Sequence, residues 1–192
     1  MNAVATEVAA TRLCIDLGAG KNPRPGFIGV DSIDFGNGNV ICNIGDEKWP
    51  WEDSTVDEAH CSHVIEHLTN LGGKWQRVHF FNELYRVLKP GASCQLIFPH
   101  WSSDRYYGDP THKEVISPFA FYYLDPAWRD VNAPHADAKY VPGMYSCNFE
   151  CTWGGSNHPE LNARSPEYKQ FAMQWYKEAW QDVHANLKAR KA

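Results

Sequence analysis

The residues from Asp16 to Asp31 have the types and spacing to bind a nucleoside. Gly18 and Gly20 follow an apolar run, and glycine lets backbone N–H groups approach a ligand where a Cβ would clash. Asp31 ends the next apolar run, where a carboxylate can accept two hydrogen bonds from a ribose diol. Asp16 would repel phosphate but could hold an ammonium group through bound water or a backbone amide. This pattern indicates an adenosine that carries a cationic amino-acid tail.

The pattern departs from the dinucleotide fingerprint. That fingerprint has a third glycine that opens a helix, and an acid about 20 residues further on. In this sequence Pro23 stands in place of the third glycine, and Asp31 follows Gly20 by only 11 residues. No helix that could cradle a phosphate is predicted, so a pyrophosphate ligand is disfavoured. An ordinary strand-ending turn is the alternative for Gly18 and Gly20 taken alone.

Three further segments extend the pattern along the chain. Trp49 to Asp57 reads W-P-W-E-D-S-T-V-D, Ser62 to Leu68 reads S-H-V-I-E-H-L, and Glu83 to Gly91 reads E-L-Y-R-V-L-K-P-G. Together with Leu13 to Asp31, they resemble motifs of the class I S-adenosylmethionine-dependent methyltransferases, in the family's order. The resemblance covers residues 13 to about 124. It implies a small single-domain member with a Rossmann-like fold and S-adenosylmethionine as cofactor.

The resemblance assigns the cofactor contacts by position. The turn from Gly18 to Gly20 would approach the methionine and ribose parts, and Asp31 would bind the ribose hydroxyls. Family members commonly place an acidic residue after strand three, next to a backbone that contacts adenine, and Asn43-Ile44 stands at that position. Asparagine can offer a carbonyl oxygen to the adenine amino group, but it supplies no charge. The complete predicted set is Asp16, Gly18, Ala19, Gly20, Asp31, Ser32, Asn43, Ile44 and Ser62.

Three histidines after predicted strands four and five are the candidates for catalysis: His63, His100 and His112. Methyl transfer from a sulfonium is an in-line displacement, so positioning supplies most of the catalysis, and a base is needed only where the acceptor loses a proton. Ligands of an open α/β sheet gather at the carboxyl ends of its strands. His112 is favoured because it lies in the polar segment from Asp104 to Lys113, which resembles a D-P-T-H element of some of these enzymes. Capping or orienting a loop is the alternative role for His63 and for Glu66-His67.

Composition sets further limits. The 192 residues fit one domain, 1–192, and a content of 43% apolar and 14% aromatic residues is typical of a globular chain. A formal charge of −5 and a pI near 6.0 leave no basic footprint, so charge does not indicate nucleic acid, which stays open as a substrate. Several of the six cysteines fall in predicted buried strands, which favours a reducing compartment and a cytoplasmic protein. Residues 1–11 show no signal-peptide pattern, and no apolar run reaches the length of a membrane span.

The predicted fold is α/β, with a single Rossmann-like and mostly parallel sheet. Apolar runs predict strands, buried on both faces, at Leu13–Leu17, Phe27–Val30, Asn39–Ile44, Glu58–Val64 and Cys94–Pro99. Parallel neighbours ordinarily need a crossover of a dozen or more residues, usually a helix. The first two connections are shorter and rich in proline and glycine, so their crossover helices are predicted to be shortened to loops. One face of the sheet would then lack its usual cover.

Apolar residues at helical spacing predict three helices. They are Gly73–Leu88, a short helix from Ser117 to Leu124, and a long C-terminal helix from Ser165 to about Lys188. The last carries a broad apolar stripe from Tyr168 to Leu187, which we expect to pack on the open face of the sheet, with dimerisation as the alternative. Residues Tyr140 to Trp153 alternate in polarity and predict a late strand near the sheet edge.

No metal site and no catalytic cysteine are predicted. Cys147 and Cys151, with His135 and His158, match no standard zinc spacing, so core thiols are the better interpretation. Eight tryptophans could stack a planar acceptor, although core packing is their more frequent role. The lack of a separate recognition domain favours a small molecule, a sugar or an exposed nucleobase as acceptor. A non-catalytic S-adenosylmethionine-binding partner subunit is the alternative, because Asn43 and the shortened crossovers depart from the family.

Overall fold

The computed structural model describes residues 12–134 and 144–191. The predictions for residues 1–11, for His135 and for residues 140–143 of the late strand lie outside the described residues. Within the described ranges, no helix has both the length and the apolar character that crossing a membrane requires.

Seven strands form one sheet. They are β1 Cys14–Leu17, β2 Ile28–Asp31, β3 Val40–Ile41, β4 Val56–Ser62, β5 Leu88–Pro99, β6 Phe149–Asn157 and β7 Trp180–Ala189. Their spatial order is β3-β2-β1-β4-β5-β7-β6. The first five strands run parallel, and β7 is antiparallel to both of its neighbours. The predicted α/β class with a mostly parallel sheet is therefore confirmed.

The helices of the described residues are short. The α-helices are α1 Gln76–Val87, α2 Asp104–Tyr107, α3 Pro126–Asn132 and α4 Pro166–Trp175. Turns of 3-10 helix occur at Ile65–His67, Pro118–Leu124 and Pro159–Leu161. The helix α1 buries Phe80, Phe81 and Leu84 in the core beside the sheet. Serine caps begin three of these described elements, at Ser103, Ser117 and Ser165, and the last two are the S-P pairs that the sequence predicts as caps.

The connections from β1 to β2 and from β2 to β3 contain no helix, and every residue in them is described. The first connection folds over the sheet instead. The backbone N–H of Arg24 donates to the Asp16 carboxylate at 2.8 Å, and the Phe27 ring meets the His60 ring edge-on. The guanidinium of Arg24 also donates to Gln95 on β5 at 2.8 Å. The predicted shortening of the first crossovers is confirmed.

The predicted long C-terminal helix is wrong. The helix α4 ends at Trp175, and Trp180–Ala189 is a strand between β5 and β6. Residues four apart, such as Val183 and Leu187, share one side of a helix and also one side of a strand, so the apolar stripe fits both structures. Ala185 distinguishes them, because it is buried with these two residues while the residues between are exposed. The chain therefore adds an internal strand rather than a cover. The predicted late edge strand is confirmed in part, because β6 begins at Phe149 and residues 145–148 are not strand.

The two faces of the sheet differ. The apolar face packs against α1 and the 3-10 helix Pro118–Leu124 in one contiguous core. Its strand residues include Ile15, Leu17, Ala59, Cys61, Cys94, Leu96, Phe98, Val183, Ala185 and Leu187. The polar face carries Asp16, Glu58, His60, Gln95, His184 and Asn186. The prediction of strands buried on both faces is confirmed for β1, whose four residues are all buried, and is wrong for β7, which alternates between buried and exposed residues. The first crossovers supply no helix to cover the rest of the polar face.

A cleft of about 480 Å³ lies on the polar face, over β5, β7 and β6. Polar side chains such as Gln95, Thr152 and Asn186 line it. These residues lie in the middle of their strands. The cleft is therefore separate from the carboxyl ends of the parallel strands, where ligands of open α/β sheets bind.

Candidate active site

A cleft of about 260 Å³, called the strand-end cleft below, opens at the carboxyl ends of β1, β2 and β4. The strand β1 lies between β2 and β4, and a ligand of an open α/β sheet usually binds where the strand order reverses in this way. Five of the nine residues predicted to bind the cofactor line the cleft: Gly18, Asp31, Ser32, Asn43 and Ile44. The structure thus brings together the strand ends on which the nucleoside prediction depends.

The carboxylate of Asp31 is fixed at the end of β2 by two backbone N–H groups. Gly20 donates to Oδ2 at 2.9 Å, and Ile33 donates to Oδ1 at 3.0 Å. An ionised carboxylate offers about four acceptor sites, so both oxygens can still accept from a diol. The carboxylate is therefore held in one orientation, as recognition of two neighbouring hydroxyls requires.

Gly18 is required by the packing of the turn. Its φ of +70° falls in the left-handed region that favours glycine, and its N–H donates to the Val30 carbonyl at 2.8 Å. A Cβ on Gly18 would lie 2.2 Å from Cγ2 of Val64, in the loop after β4. The sequence predicts the close approach of a ligand to this glycine. The structure shows the close approach of Val64, which brings the ends of β1 and β4 together.

Four of the predicted cofactor residues do not line the cleft: Asp16, Ala19, Gly20 and Ser62. Asp16 is buried beneath the loop after β1, where its carboxylate contacts Nδ1 of His60 at 2.7 Å and accepts from the N–H of Arg24 at 2.8 Å. Both of its oxygens are engaged with the protein. A ligand ammonium group that contacted Asp16 directly would have to displace one of these partners.

The part of the cleft near β3 combines a polar turn with uncharged side chains. The side chain of Asn43 is held in the turn, because its Oδ1 accepts from the N–H of Gly45 at 3.2 Å and its Nδ2 donates to Asp46 at 3.1 Å. The amide oxygen that could face an adenine amino group thus already accepts one hydrogen bond and keeps one lone pair. Ile44 and Cys42 are buried here, and burial raises the pKa of Cys42 to about 11. The thiol stays protonated and forms part of an uncharged wall.

A second cavity of about 200 Å³, called the polar pocket below, adjoins the strand-end cleft and shares His63 and His67 with it. Its other lining residues are Glu66, Pro99, Arg105, Asp109 and His112. The backbone N–H of Lys113 donates to the Glu66 carbonyl at 2.8 Å, which ties the loop after β5 to the loop after β4. The structure thus places His112, the favoured catalytic candidate, beside the strand-end cleft.

His112 is held in one orientation and has one ring nitrogen free. Its Nδ1 donates to the Tyr106 carbonyl at 2.6 Å, so the neutral ring carries its proton there and Nε2 keeps a lone pair. The ring contacts Tyr106 and His67, and only 8% of the side chain is exposed. Nε2 lies 4.0 Å from a carboxylate oxygen of Glu66 and 3.9 Å from one of Asp109. A nitrogen in this position can accept a proton or bind a cation.

The other two candidate histidines differ in position. His63 lies between the strand-end cleft and the polar pocket, and its contact with the Glu66 carboxylate, 3.4 Å from Nδ1 to Oε1, raises its pKa. His100 lines neither cavity. It is buried at the end of β5 with its ring stacked on Trp180, and burial lowers its pKa to about 4. The structure therefore brings His63 and His112 together and leaves His100 apart from them.

Glu66, His67 and Asp109 are not among the predicted site residues, and the structure adds them to the polar pocket. A signal for them exists in the two polar loops H-V-I-E-H and D-P-T-H. These loops follow β4 and β5, and neighbouring parallel strands place such loops side by side. The complete burial of Glu66 has no sequence signal, because it depends on how the two loops pack.

The sheet order and the position of the strand-end cleft define the fold of this protein. Its fold is that of the class I S-adenosylmethionine-dependent methyltransferases, as comparisons with known proteins show. Residues 23–96 match the family model described as a methyltransferase domain. The resemblance that the sequence motifs indicate is confirmed, and S-adenosylmethionine is the cofactor that this match implies. No curated protein matches the sequence.

Several solved structures share the fold at low sequence identity. A SAM dependent methyltransferase from Archaeoglobus fulgidus is 18% identical, with 93% of this chain and 86% of that chain covered and a TM-score of 0.62. A chain of the complex between the Haloferax volcanii Trm112 methyltransferase activator and the putative methyltransferase is 13% identical, with 97% and 85% covered and a TM-score of 0.59. The YcgJ protein from Bacillus subtilis is 14% identical, with 97% and 95% covered and a TM-score of 0.53.

Proposed function

We propose that the protein is a methyltransferase that binds S-adenosylmethionine in the strand-end cleft. The observation that carries this proposal is the Asp31 carboxylate, which two backbone N–H groups orient and which keeps acceptor capacity for a ribose diol. Ile44 and Cys42 offer the uncharged surface that an adenine ring requires. When bound, the cofactor supplies an electrophilic methyl group.

The polar pocket is the proposed acceptor site. Because it shares His63 and His67 with the strand-end cleft, an acceptor in the pocket would lie next to the methyl donor. The chain would then act mainly by holding the two reactants close and aligned. A volume of about 200 Å³ with polar walls suits a small polar molecule, a sugar or the edge of an exposed nucleobase.

His112 is the proposed base where the acceptor must lose a proton. Its Nε2 has a free lone pair and its ring is fixed by the Tyr106 carbonyl, so a proton can be accepted without reorientation of the side chain. His63 has a different proposed role. Because Glu66 raises its pKa, His63 is more protonated at a given pH than a free histidine and suits contact with an anionic part of the acceptor.

Calorimetric titration with S-adenosylhomocysteine tests the cofactor site. Asp31→Asn should weaken binding by about 1.5 to 3 kcal/mol, the range for hydrogen bonds to a charged group. Asp34→Asn is the matched control, since Asp34 is an exposed acid in the same loop that accepts from the N–H of Gly36, and it should bind like wild type. A wild-type protein that gives no heat with this ligand, but does bind NAD, would contradict the assignment.

Turnover separates an enzyme from a non-catalytic partner subunit. With methyl-labelled S-adenosylmethionine and pooled metabolites, sugars and nucleic acids, the wild type should label an acceptor. His112→Ala should lower the rate by roughly 10² to 10⁴ while the affinity for S-adenosylhomocysteine stays unchanged. His184→Ala, an exposed histidine on the polar face, is the control. A wild type that binds the cofactor product but labels nothing would favour the partner-subunit alternative.

A further inference from the structure

Glu66 presents a buried carboxylate without a hydrogen-bond partner among the described residues. Its side chain is fully buried, and within the part of the chain that the structure describes neither carboxylate oxygen has a hydrogen-bond partner. A ring nitrogen of His63 lies 3.4 Å from Oε1. A buried carboxylate is strongly disfavoured unless it is protonated, paired or bound to a metal ion. Glu66 lines the polar pocket, so an ion can reach it from there.

Two histidines present free ring nitrogens next to this carboxylate. Nδ1 of His112 donates to the Tyr106 carbonyl at 2.6 Å, and Nδ1 of His67 lies 3.3 Å from the Thr111 carbonyl. The Thr111 hydroxyl, 3.1 Å from the same nitrogen, donates its own proton to Asp109. Both Nδ1 atoms thus act as donors, and Nε2 of each ring keeps its lone pair. Metal-ligating histidines almost always donate their other N–H in this way.

The ligand atoms are close enough to share one ion. One atom from each of Glu66, His67 and His112 lies within 4.8 Å of the others. The 4.0 Å between Nε2 of His112 and Oε1 of Glu66 exceeds the roughly 3.4 Å that separates two ligands of a tetrahedral ion at about 2.1 Å, so these side chains move slightly closer together when the ion binds. We propose that Glu66, His67 and His112 bind a divalent first-row transition-metal cation in the polar pocket. This site does not depend on the proposed methyl transfer. While the ion is bound, it occupies the Nε2 lone pair of His112, so His112 acts as the proposed base only in the metal-free protein.

The ligand set selects the class of cation. Two imidazoles and one carboxylate suit zinc, cobalt, iron or manganese, whereas magnesium and calcium prefer oxygen ligands. Asp109 adds negative charge beside the site, since its Oδ2 lies 3.9 Å from Nε2 of His112. The nearby guanidinium of Arg105 is paired with Asp182 at 2.5 Å. Three protein ligands leave a coordination position open, as in catalytic rather than structural zinc sites.

Cobalt titration of the untagged, chelator-treated protein tests the site. We expect the wild type to bind one equivalent of Co²⁺ with visible absorption, and Zn²⁺ to displace it. Glu66→Gln, His67→Gln and His112→Gln should each weaken Co²⁺ binding by more than about 10²-fold, beyond the 10- to 100-fold typical of losing an outer-shell partner. His184→Gln is the matched control, because it removes an exposed imidazole on the polar face and should bind Co²⁺ like wild type.

Thermal unfolding without metal distinguishes a variant that has lost a metal ligand from a variant that folds poorly. Glu66→Gln removes a buried carboxylate that has no hydrogen-bond partner in the described part of the chain and keeps the shape of the side chain, so it should unfold at no lower temperature than wild type. Zn²⁺ should raise the melting temperature of wild type and His184→Gln but not that of Glu66→Gln or His112→Gln. Less than one equivalent of Co²⁺ on the wild type, or wild-type affinity in both Glu66→Gln and His112→Gln, overturns the proposal. None of these measurements uses S-adenosylmethionine, so their failure is distinct from failure of the proposed methyl transfer.

Discussion

The apolar and polar faces of the sheet are made by the same strands, yet they have opposite surroundings. Along β7, Val183 and Leu187 are completely buried, whereas His184 and Asn186 are exposed. A parallel sheet ordinarily has helices on both faces and near-continuous apolar strands. Here the first two crossovers have lost their helices, and the strands alternate in polarity instead. The comparison teaches that loop length along the chain determines which residues a strand can place on its second face.

The largest expected effect comes from exchanging neighbouring residues between the faces. Leu187→Asn should lower the free energy of unfolding by about 3 to 5 kcal/mol, because it leaves a cavity and buries an amide in the core. Asn186→Leu, one residue away on the polar face, should change it by less than about 0.5 kcal/mol. Urea unfolding measures both. Equal losses in the two variants would show that the faces do not differ in burial.

A buried histidine at the end of β5 makes the stability of the fold depend on pH. The pKa of His100 is lowered by burial to about 4 from an ordinary 6.5, and the ring accepts from the N–H of Ser102 at 3.2 Å. The unfolded chain therefore takes up the proton first as the pH falls, so stability is full above pH 6.5 and declines toward pH 4. The contribution is up to roughly 3 kcal/mol.

Chemical unfolding between pH 4 and pH 7 measures this contribution. His100→Gln should flatten the decline, because the residue that titrates is gone. His184→Gln is the matched loss of an imidazole from the polar face. A decline in His100→Gln as steep as in wild type would show that other groups cause it.

The smallest expected effects come from two neighbouring glycines in β6. A Cβ on Gly155, which pairs with Val183 of the apolar face, would lie 2.2 Å from the Trp180 ring. A Cβ on Gly154, which faces the polar cleft, would meet nothing within 4 Å. Gly155→Ala should thus destabilise by about 1 to 3 kcal/mol, and Gly154→Ala should stabilise by about 0.5 to 1 kcal/mol. Thermal unfolding of the two variants measures both changes in stability. A stabilised Gly155→Ala would contradict the packing of β6 against Trp180.

The fold could be predicted in those segments whose residue pattern is compatible with only one kind of secondary structure. The apolar runs that end at Leu17 and Asp31 are too short for helices, and the glycine turns between them exclude a crossover helix. The C-terminal segment could not be predicted from its apolar stripe. Residues four apart lie on one side of a helix and also on one side of a strand, so the stripe fits both structures. The residue that separates them is Ala185, whose small side chain contributes little to an apolar pattern.

The candidate site could be predicted in part for a similar reason. Asp31 and Gly18 are recognisable because their spacing along the chain is local, and the structure places both in the strand-end cleft. The cluster of Glu66, His67 and His112 joins two loops that are more than 40 residues apart in sequence, roughly the length of a whole crossover unit. Such a cluster depends on strand order and on the packing of the loops. Neither is local information.

The sheet ends differently at its two edges. The edge strand β3 has two residues, whereas β6 at the other edge has nine. An edge strand offers unpaired N–H and C=O groups to a second molecule. The register irregularity between Gly155 and Asn157 bends β6, and the exposed charge of Glu150 opposes the approach of another strand. Intermolecular strand addition, and the aggregation that follows from it, would therefore have to begin in the few residues from Cys151 to Gly154.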